Sequence, residues 1–324
     1  MANKHTALIV GITGQDGTYL TRFLLSKGYV VVGTTRDVFS SSQSNLQQLG
    51  LLDKVTFVSM AVEDFRSVLS VLQKFQPSEI YNLSGQTSVG LSFERPVEAI
   101  ESIAIGTLNL LEAIRFLKLE SRFYNAGSSE CFGDTKGEKA NELTPFIPRS
   151  PYAVAKVTAA GLVNNYQESY GIFACTGILF NHESPLRSER FVTQKIIHTA
   201  AKIKRNRDLK LHLGNIEISR DWGWAPDYVE AMWKMLQLEK PQHFVIATGR
   251  TTSLTYFIEQ AFLFFDLHWK DHVVIEGALK RPSDIQYGAA DPTKATQVLG
   301  WTAKHDVDEV IRLMCEAVQS PSQP

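Results

Sequence analysis

Ala7-Leu8-Ile9-Val10 runs directly into Gly11-Ile12-Thr13-Gly14-Gln15-Asp16-Gly17, after which apolar residues recur at Tyr19, Leu20, Phe23, Leu24 and Leu25. The order reads as a short buried strand, a glycine turn and an amphipathic helix. Glycines at 11, 14 and 17 permit a tight turn and a close backbone approach, so that a pyrophosphate can rest on the N–H groups at the start of the helix. A glycine triplet alone would be an ordinary turn. Placed between this strand and this helix, it matches a dinucleotide-binding fingerprint.

The next strand, Tyr29 to Thr34, leads into Thr35-Arg36-Asp37. An acid at this point commonly pairs with the ribose 2′-hydroxyl of NAD; here Thr35 takes its place and Arg36 is suited to a 2′-phosphate, which favours NADP. Residues 38–46 are serine-rich and predict a loop. Strands at Val55 to Met60, Glu79 to Leu83 and Arg122 to Ala126, with helices at Phe65 to Phe75 and Ile100 to Leu117, continue the alternation. The predicted fold is α/β: a doubly wound parallel sheet (Rossmann) with a smaller, sequence-interleaved α/β substrate lobe. Residues 1–172 form the expected dinucleotide-binding domain, with a returning segment near 220–250, and residues 173–324 form mainly the substrate lobe. Phe244 to Ala247 is the strand expected to rejoin the main sheet, and a helix is expected from Thr193 to Lys204.

Composition narrows the function classes. The chain has 324 residues, 44% hydrophobic and 21% charged, as an ordinary soluble globular protein does. Lys plus Arg (33) balance Asp plus Glu (34) without a basic run, so no nucleic acid partner is expected. The N-terminal apolar stretch is too short for a signal peptide or a span, and a cytoplasmic protein with no membrane partner is expected. Cys131, Cys175 and Cys315 are odd in number and far apart, which indicates neither a disulfide framework nor a metal site. Cys131 reads as a small core thiol.

The chemistry begins at Gly127-Ser128-Ser129-Glu130, directly after the strand that ends at Ala126. Downstream, Ser150-Pro151-Tyr152-Ala153-Val154-Ala155-Lys156 opens a helix that places Tyr152 and Lys156 on one face. A hydroxyl, a carboxylate, a phenol and an ammonium are thereby candidates for one acid/base cluster. Ser84-Gly85-Gln86-Thr87-Ser88 follows another strand, at the sheet edge where such folds bind ligands.

Gly11, Gly14 and Gly17 with Ser128, Tyr152 and Lys156 resemble the extended short-chain dehydrogenase/reductase superfamily. In such a site an ammonium and a nicotinamide cation are expected to bring a phenol down from about 10 toward neutral pH, making Tyr152 a base for alcohol oxidation. Glu130 has no use in a simple oxidation. It has one in removing water from a sugar, where the proton on C5 becomes acidic once C4 is a ketone.

Longer matches are Arg149-Ser150-Pro151-Tyr152, Gly177-Ile178-Leu179-Phe180-Asn181-His182-Glu183-Ser184-Pro185 and Arg220-Asp221-Trp222-Gly223. With the glycine stretch and Ser128-Ser129-Glu130, they resemble the GDP-mannose 4,6-dehydratase family from the first strand to about residue 315. The resemblance implies NADP held by Gly11, Gly14, Gln15, Asp16, Gly17, Thr35, Arg36, Leu83, Ser84, Gln86, Tyr152, Lys156, His182 and Arg187. It implies GDP-mannose or a close relative held by Ser88, Asn181, Lys195, Leu213, Gly214, Arg220, Arg281 and Asp284. It also implies a homo-oligomer, dimer or tetramer. Three departures stand out: Ser128 stands where threonine is common, Arg36-Asp37-Val38-Phe39 replaces the two arginines and serine of many members, and Ser59-Met60-Ala61-Val62 lacks their usual acid. A dehydratase of another sugar nucleotide such as GDP-mannoheptose, and a non-catalytic dinucleotide-binding sensor, are the alternative readings.

Overall fold

In the computed structural model, which describes residues 5–279 and 282–319, the opening apolar run is strand β1 (Thr6–Val10). Its side chains alternate between two cores: Ala7 and Ile9 enter one, Leu8 and Val10 the other. A strand covered on both faces needs an unbroken apolar run, which is what the sequence supplies. The other strands are β2 (Val30–Thr35), β3 (Thr56–Ser59), β4 (Glu79–Asn82), β5 (Arg122–Ala126), β6 (Ala174–Leu179), β7 (Asn181–Glu183), β8 (Leu211–Leu213), β9 (Ser219–Trp224), β10 (Phe244–Ile246), β11 (Thr251–Ser253) and β12 (Val273–Ile275).

Seven of them form one parallel sheet in the order β10-β6-β5-β4-β1-β2-β3. Helices Gln15–Ser26 and Ala225–Leu236 bury Leu20, Leu24, Val229 and Met232 against one face. Helices Phe65–Phe75, Gly106–Leu117 and Pro151–Tyr170 bury Val68, Leu72, Leu111 and Val163 against the other. Each such side chain contributes about 1.5–3 kcal/mol. The strand order reverses at β1: the chain moves outward through β2 and β3, then returns to β4 on the opposite side. Connections therefore diverge above the carboxyl ends of β1 and β4, opening a crevice there.

The expected return strand is present, with Phe244 registered against Gly177 of β6. On its outer edge, Val245 N donates to Glu142 Oε1 at 2.7 Å, and the loop carrying Glu142 is tied at its base by Ile147 N donating to the Cys131 carbonyl. The remaining strands form a β11-β9-β7 sheet and a β12-β8 pair. Helices Val192–Arg205, Leu254–Phe264 and Val307–Gln319 enclose Ile196, Trp222, Phe257, Phe262, Val310 and Met314 in a separate core.

Two segments differ from expectation. A short helix, Ser44–Gln48, begins inside the serine-rich stretch because Leu46 is buried under it. The helix expected from Ile100 instead starts at Pro96 and passes through a π-helical turn, Glu101–Ile105, before continuing to Leu117. In that turn the Ser102 hydroxyl donates to the Glu98 carbonyl and accepts from Gln86 N. Among the described residues, no helix is long and apolar enough to cross a membrane and no cluster of side chains is arranged to hold a metal. All three cysteines are buried free thiols.

At the edge of the sheet, Thr176 N donates to His243 Nδ1 at 2.9 Å, a bond that requires a bare ring nitrogen. Burial, with the Lys294 charge beside it, lowers His243 to about 4. The unfolded chain takes up this proton first, so the stabilisation is complete above about 6.5 and is lost as pH falls toward 4. Between pH 7 and 5, urea denaturation of the wild type is expected to lose about 2 kcal/mol more than that of His243→Gln. Equal losses would show that His243 is not held neutral.

Candidate active site

The turn after β1 is built by steric exclusion. Gly11 has φ +87°, and a Cβ on Gly17 would lie 2.5 Å from the Gly11 carbonyl oxygen. Only hydrogen at residue 17 lets the helix start so near the strand end. The residue that begins that helix, Gly14, offers no side-chain cap, which leaves first-turn N–H groups directed at the crevice. Absent side chains and uncapped donors fit the pyrophosphate of a dinucleotide.

Gln15 and Asp16 latch this turn to the segment after β6. Gln15 Nε2 donates to the His182 carbonyl at 3.2 Å, and the Ser184 hydroxyl donates to Gln15 Oε1 at 2.7 Å. Asp16 Oδ2 lies 2.9 Å from His182 Nε2. Burial opposes charge on both groups, but their attraction and hydrogen bond outweigh it, so Asp16 lies below its usual range and His182 above. Arg187 donates to the His182 carbonyl, pairs with Glu183 at 3.2 Å and covers the Phe191 ring.

At the end of β2, the Thr35 hydroxyl bonds Ser41, and exposed Arg36 pairs at 3.7 Å with Glu63, not with neighbouring Asp37. Beyond β4, Leu83 N donates to the Val10 carbonyl, holding this loop against Gly11. The Ser84 hydroxyl donates to Asn82 Oδ1, and Gln86 Nε2 donates to the Ser88 carbonyl. Ser88 also caps the helix Val89–Glu94. The loop is therefore set by side chains and not left as a plain turn.

The four catalytic candidates converge at the carboxyl end of β5. Ser128 accepts from Glu130 N, and its hydroxyl lies near enough to the Tyr152 phenol to favour the ionised form. Helix Pro151–Tyr170, capped by Ser150, places Lys156 Nζ 5.8 Å from the Tyr152 ring centroid. The ammonium expected beside the phenolic oxygen donates instead to the Ala126 carbonyl, at 2.7 Å. Burial lowers Lys156 to about 8. Burial, with Cys131 and Glu130 nearby, raises the phenol well above 10, although the Ser128 hydroxyl and the Arg187 charge pull it down. The protein's own groups thus hold Tyr152 protonated, and lowering it requires an added cation beside it. Burial pushes Cys131 up to about 12, as befits a core thiol.

The expected substrate residues form a second set on the far lobe. Asn181, on β7, is registered against Trp222 of β9. Lys195 Nζ donates to the His212 carbonyl at 2.6 Å, beside Leu213 and Gly214. Arg220 is 6% exposed, donates to the Ser219 carbonyl and lies 3.7 Å from Asp284. Arg281 lies outside the described residues.

Sequence reasoning missed a buried polar ladder under the site: Asn82 bonds Thr107 and Asn125, and Asn125 bonds Thr176. The available signal is a polar residue at the same level of three neighbouring strands, Asn82, Asn125 and Thr176. It also missed Asp221, which accepts from Thr248 and Gly249 N and so fixes the turn next to Arg220.

Residues 8–314 match a family model described as GDP-mannose 4,6 dehydratase. GDP-mannose 4,6 dehydratase 1 of Arabidopsis thaliana is 44% identical over 328 residues, 97% of this chain and 89% of the relative. A GDP-mannose 4,6-dehydratase of Vibrio cholerae is 43% identical over 341 residues, 95% of this chain and 92% of the relative. Among solved structures, the UDP-glucose 4-epimerase of Thermus thermophilus in complex with NAD has a TM-score of 0.85 at 23% identity, over 97% of this chain and 99% of that one. A Bacillus anthracis dTDP-glucose 4,6-dehydratase in complex with NAD has a TM-score of 0.83 at 18% identity, over 97% and 96%. The structural likenesses speak for the fold.

Gly17→Ala is expected to cost at least about 1–3 kcal/mol in denaturation, because backbone must move. Gly161→Ala, whose Cβ meets nothing within 4 Å, is the control and should be neutral or stabilising.

Proposed function

Because the chain belongs to the GDP-mannose 4,6-dehydratase family, we propose that it converts GDP-mannose to GDP-4-dehydro-6-deoxymannose and water. The observation that carries this reading is the convergence of Glu130 with Ser128 and Tyr152 at the end of β5. Residues 1–172 with the segment near 220–250 hold the dinucleotide, and residues 173–324 hold mainly the nucleotide sugar. A nicotinamide dinucleotide, such as the NAD of the two structural neighbours, would supply the hydride acceptor for C4 and the hydride donor for C6.

The chain's own residues do the proton work. Tyr152 takes the proton of the C4 hydroxyl, and Lys156, held on the Ala126 carbonyl, brings positive charge to the same face of the helix. Ser128 donates to the C4 oxygen, steadying the ketone. With C4 a ketone, Glu130 removes the C5 proton and passes it to the departing C6 hydroxyl, so water leaves and an alkene joins C5 to C6; once C6 has regained a hydride, C5 takes the proton that Tyr152 drew from the C4 hydroxyl. Asn181, Lys195, Arg220 and Arg281 hold the diphosphate, for which arginine offers planar paired donors. Asp284, 3.7 Å from Arg220, belongs to the same group.

The dinucleotide in this reading is NADP. Its support is the end of β2, where Thr35 replaces an acid and Arg36 is exposed. Arg36→Ala is expected to weaken NADP by about tenfold relative to NAD, measured by calorimetry, consistent with loss of one charge-assisted contact. An unchanged ratio would remove Arg36 from the reading. A homo-oligomer belongs to the same proposal, supported by exposed Val97, Phe116 and Val154 on neighbouring helices.

Incubation with GDP-mannose without added reductant should yield the 4-keto product. Glu130→Gln should lower turnover by about 10²–10⁴-fold while C4 oxidation persists, and Tyr152→Phe should lose oxidation itself. Near-normal dehydration by Glu130→Gln would defeat the assignment of the second base.

A further inference from the structure

His182 has both ring nitrogens against oxygens that are acceptors in their ordinary protonation states. Nδ1 lies 2.8 Å from the Phe180 carbonyl oxygen, and Nε2 lies 2.9 Å from Asp16 Oδ2. The carbonyl requires N–H at Nδ1, and a neutral ring would then present its lone pair at Nε2 to a carboxylate. One further proton between Nε2 and Asp16 satisfies both contacts. An imidazolium facing a carboxylate is the resulting arrangement.

The charges around this pair favour that state. Burial, and Arg187 donating to the His182 carbonyl, oppose a cation on the ring, but the charge and hydrogen bond of Asp16 outweigh them; Arg187 also attracts the Asp16 carboxylate, leaving His182 as the partner in direct contact with it. Tyr228 stacks on the imidazole at 4.6 Å and contributes no charge. Glu183 is turned away, toward Thr193 and Arg187. Lys156 and Tyr124 lie within electrostatic reach of Asp16.

Asp16 stands in the first turn of the helix whose N–H groups line the cradle. A carboxylate left uncompensated there would repel the phosphates that those N–H groups attract. We infer that protonated His182 is a positioning residue that cancels the Asp16 charge beside the cradle, so that dinucleotide affinity falls as pH rises and His182 loses its proton. The inference rests on the cofactor reading of Gly11 to Gly17.

Two measurements test it. In protein labelled with ¹⁵N-histidine, both His182 ring nitrogens should be protonated at pH 7; a neutral ring overturns the proposal whatever the variants do. NADP affinity is then measured by calorimetry from pH 7 to 9, above the ligand's own phosphate titration, with and without Asp16→Asn. Asp16 also holds up the charge of Lys156, so both proteins carry Lys156→Met, which removes that titration from the two slopes and leaves their difference to the pair. The protein that keeps Asp16 should weaken by about tenfold more than Asp16→Asn across this range. Parallel slopes overturn the proposal alone, whereas no NADP or NAD binding by wild type at any pH overturns the cofactor reading and the proposal with it.

Discussion

The contact between the start of the first helix and the end of β1 sets the position of everything above the sheet. With hydrogen at Gly17, the helix begins against the Gly11 carbonyl, and its first-turn donors face the crevice. The loop after β4 closes on the same point, through Leu83 N and the Val10 carbonyl. Two strand ends, one helix and one loop thereby share a few ångströms of backbone, with no side chain between them. Displacement of any one element would move the others.

Beneath this backbone contact, the buried polar side chains of one set serve as partners for one another. Asn82, Thr107, Asn125 and Thr176 bond one another beneath the site, avoiding the cost of about 1–3 kcal/mol for a buried polar group left unmade. Lys156 is deeply buried yet donates to the Ala126 carbonyl, at the end of the strand that delivers Ser128. Burial favours the neutral form of both Tyr152 and Lys156, which places their protonation under the control of whatever charge is brought beside them.

Local sequence carried much of this and distance hid the rest. The apolar runs of β1, β4 and β5, the glycine turn and the Tyr152/Lys156 spacing each lie within a few residues, so periodicity and turn chemistry expose them. The return of β10 to the sheet was legible as a short apolar run. The Asp16–His182 pair spans 166 positions, and nothing local to either residue announces the other. Arg36 was legible as a cation suited to a phosphate, but its partner Glu63 comes from beyond another strand. The π-helical turn escaped because apolar spacing cannot register one extra residue within a turn.

The Glu142 bond to Val245 N also bears on how copies of the chain meet. β10 is an outer strand of the large sheet, where an unpaired N–H invites the backbone of another molecule. A carboxylate already occupies that donor and places negative charge along the border. Strand-to-strand growth of the sheet into aggregates is thereby blocked on this side by the loop that leaves Cys131 and returns at Ile147.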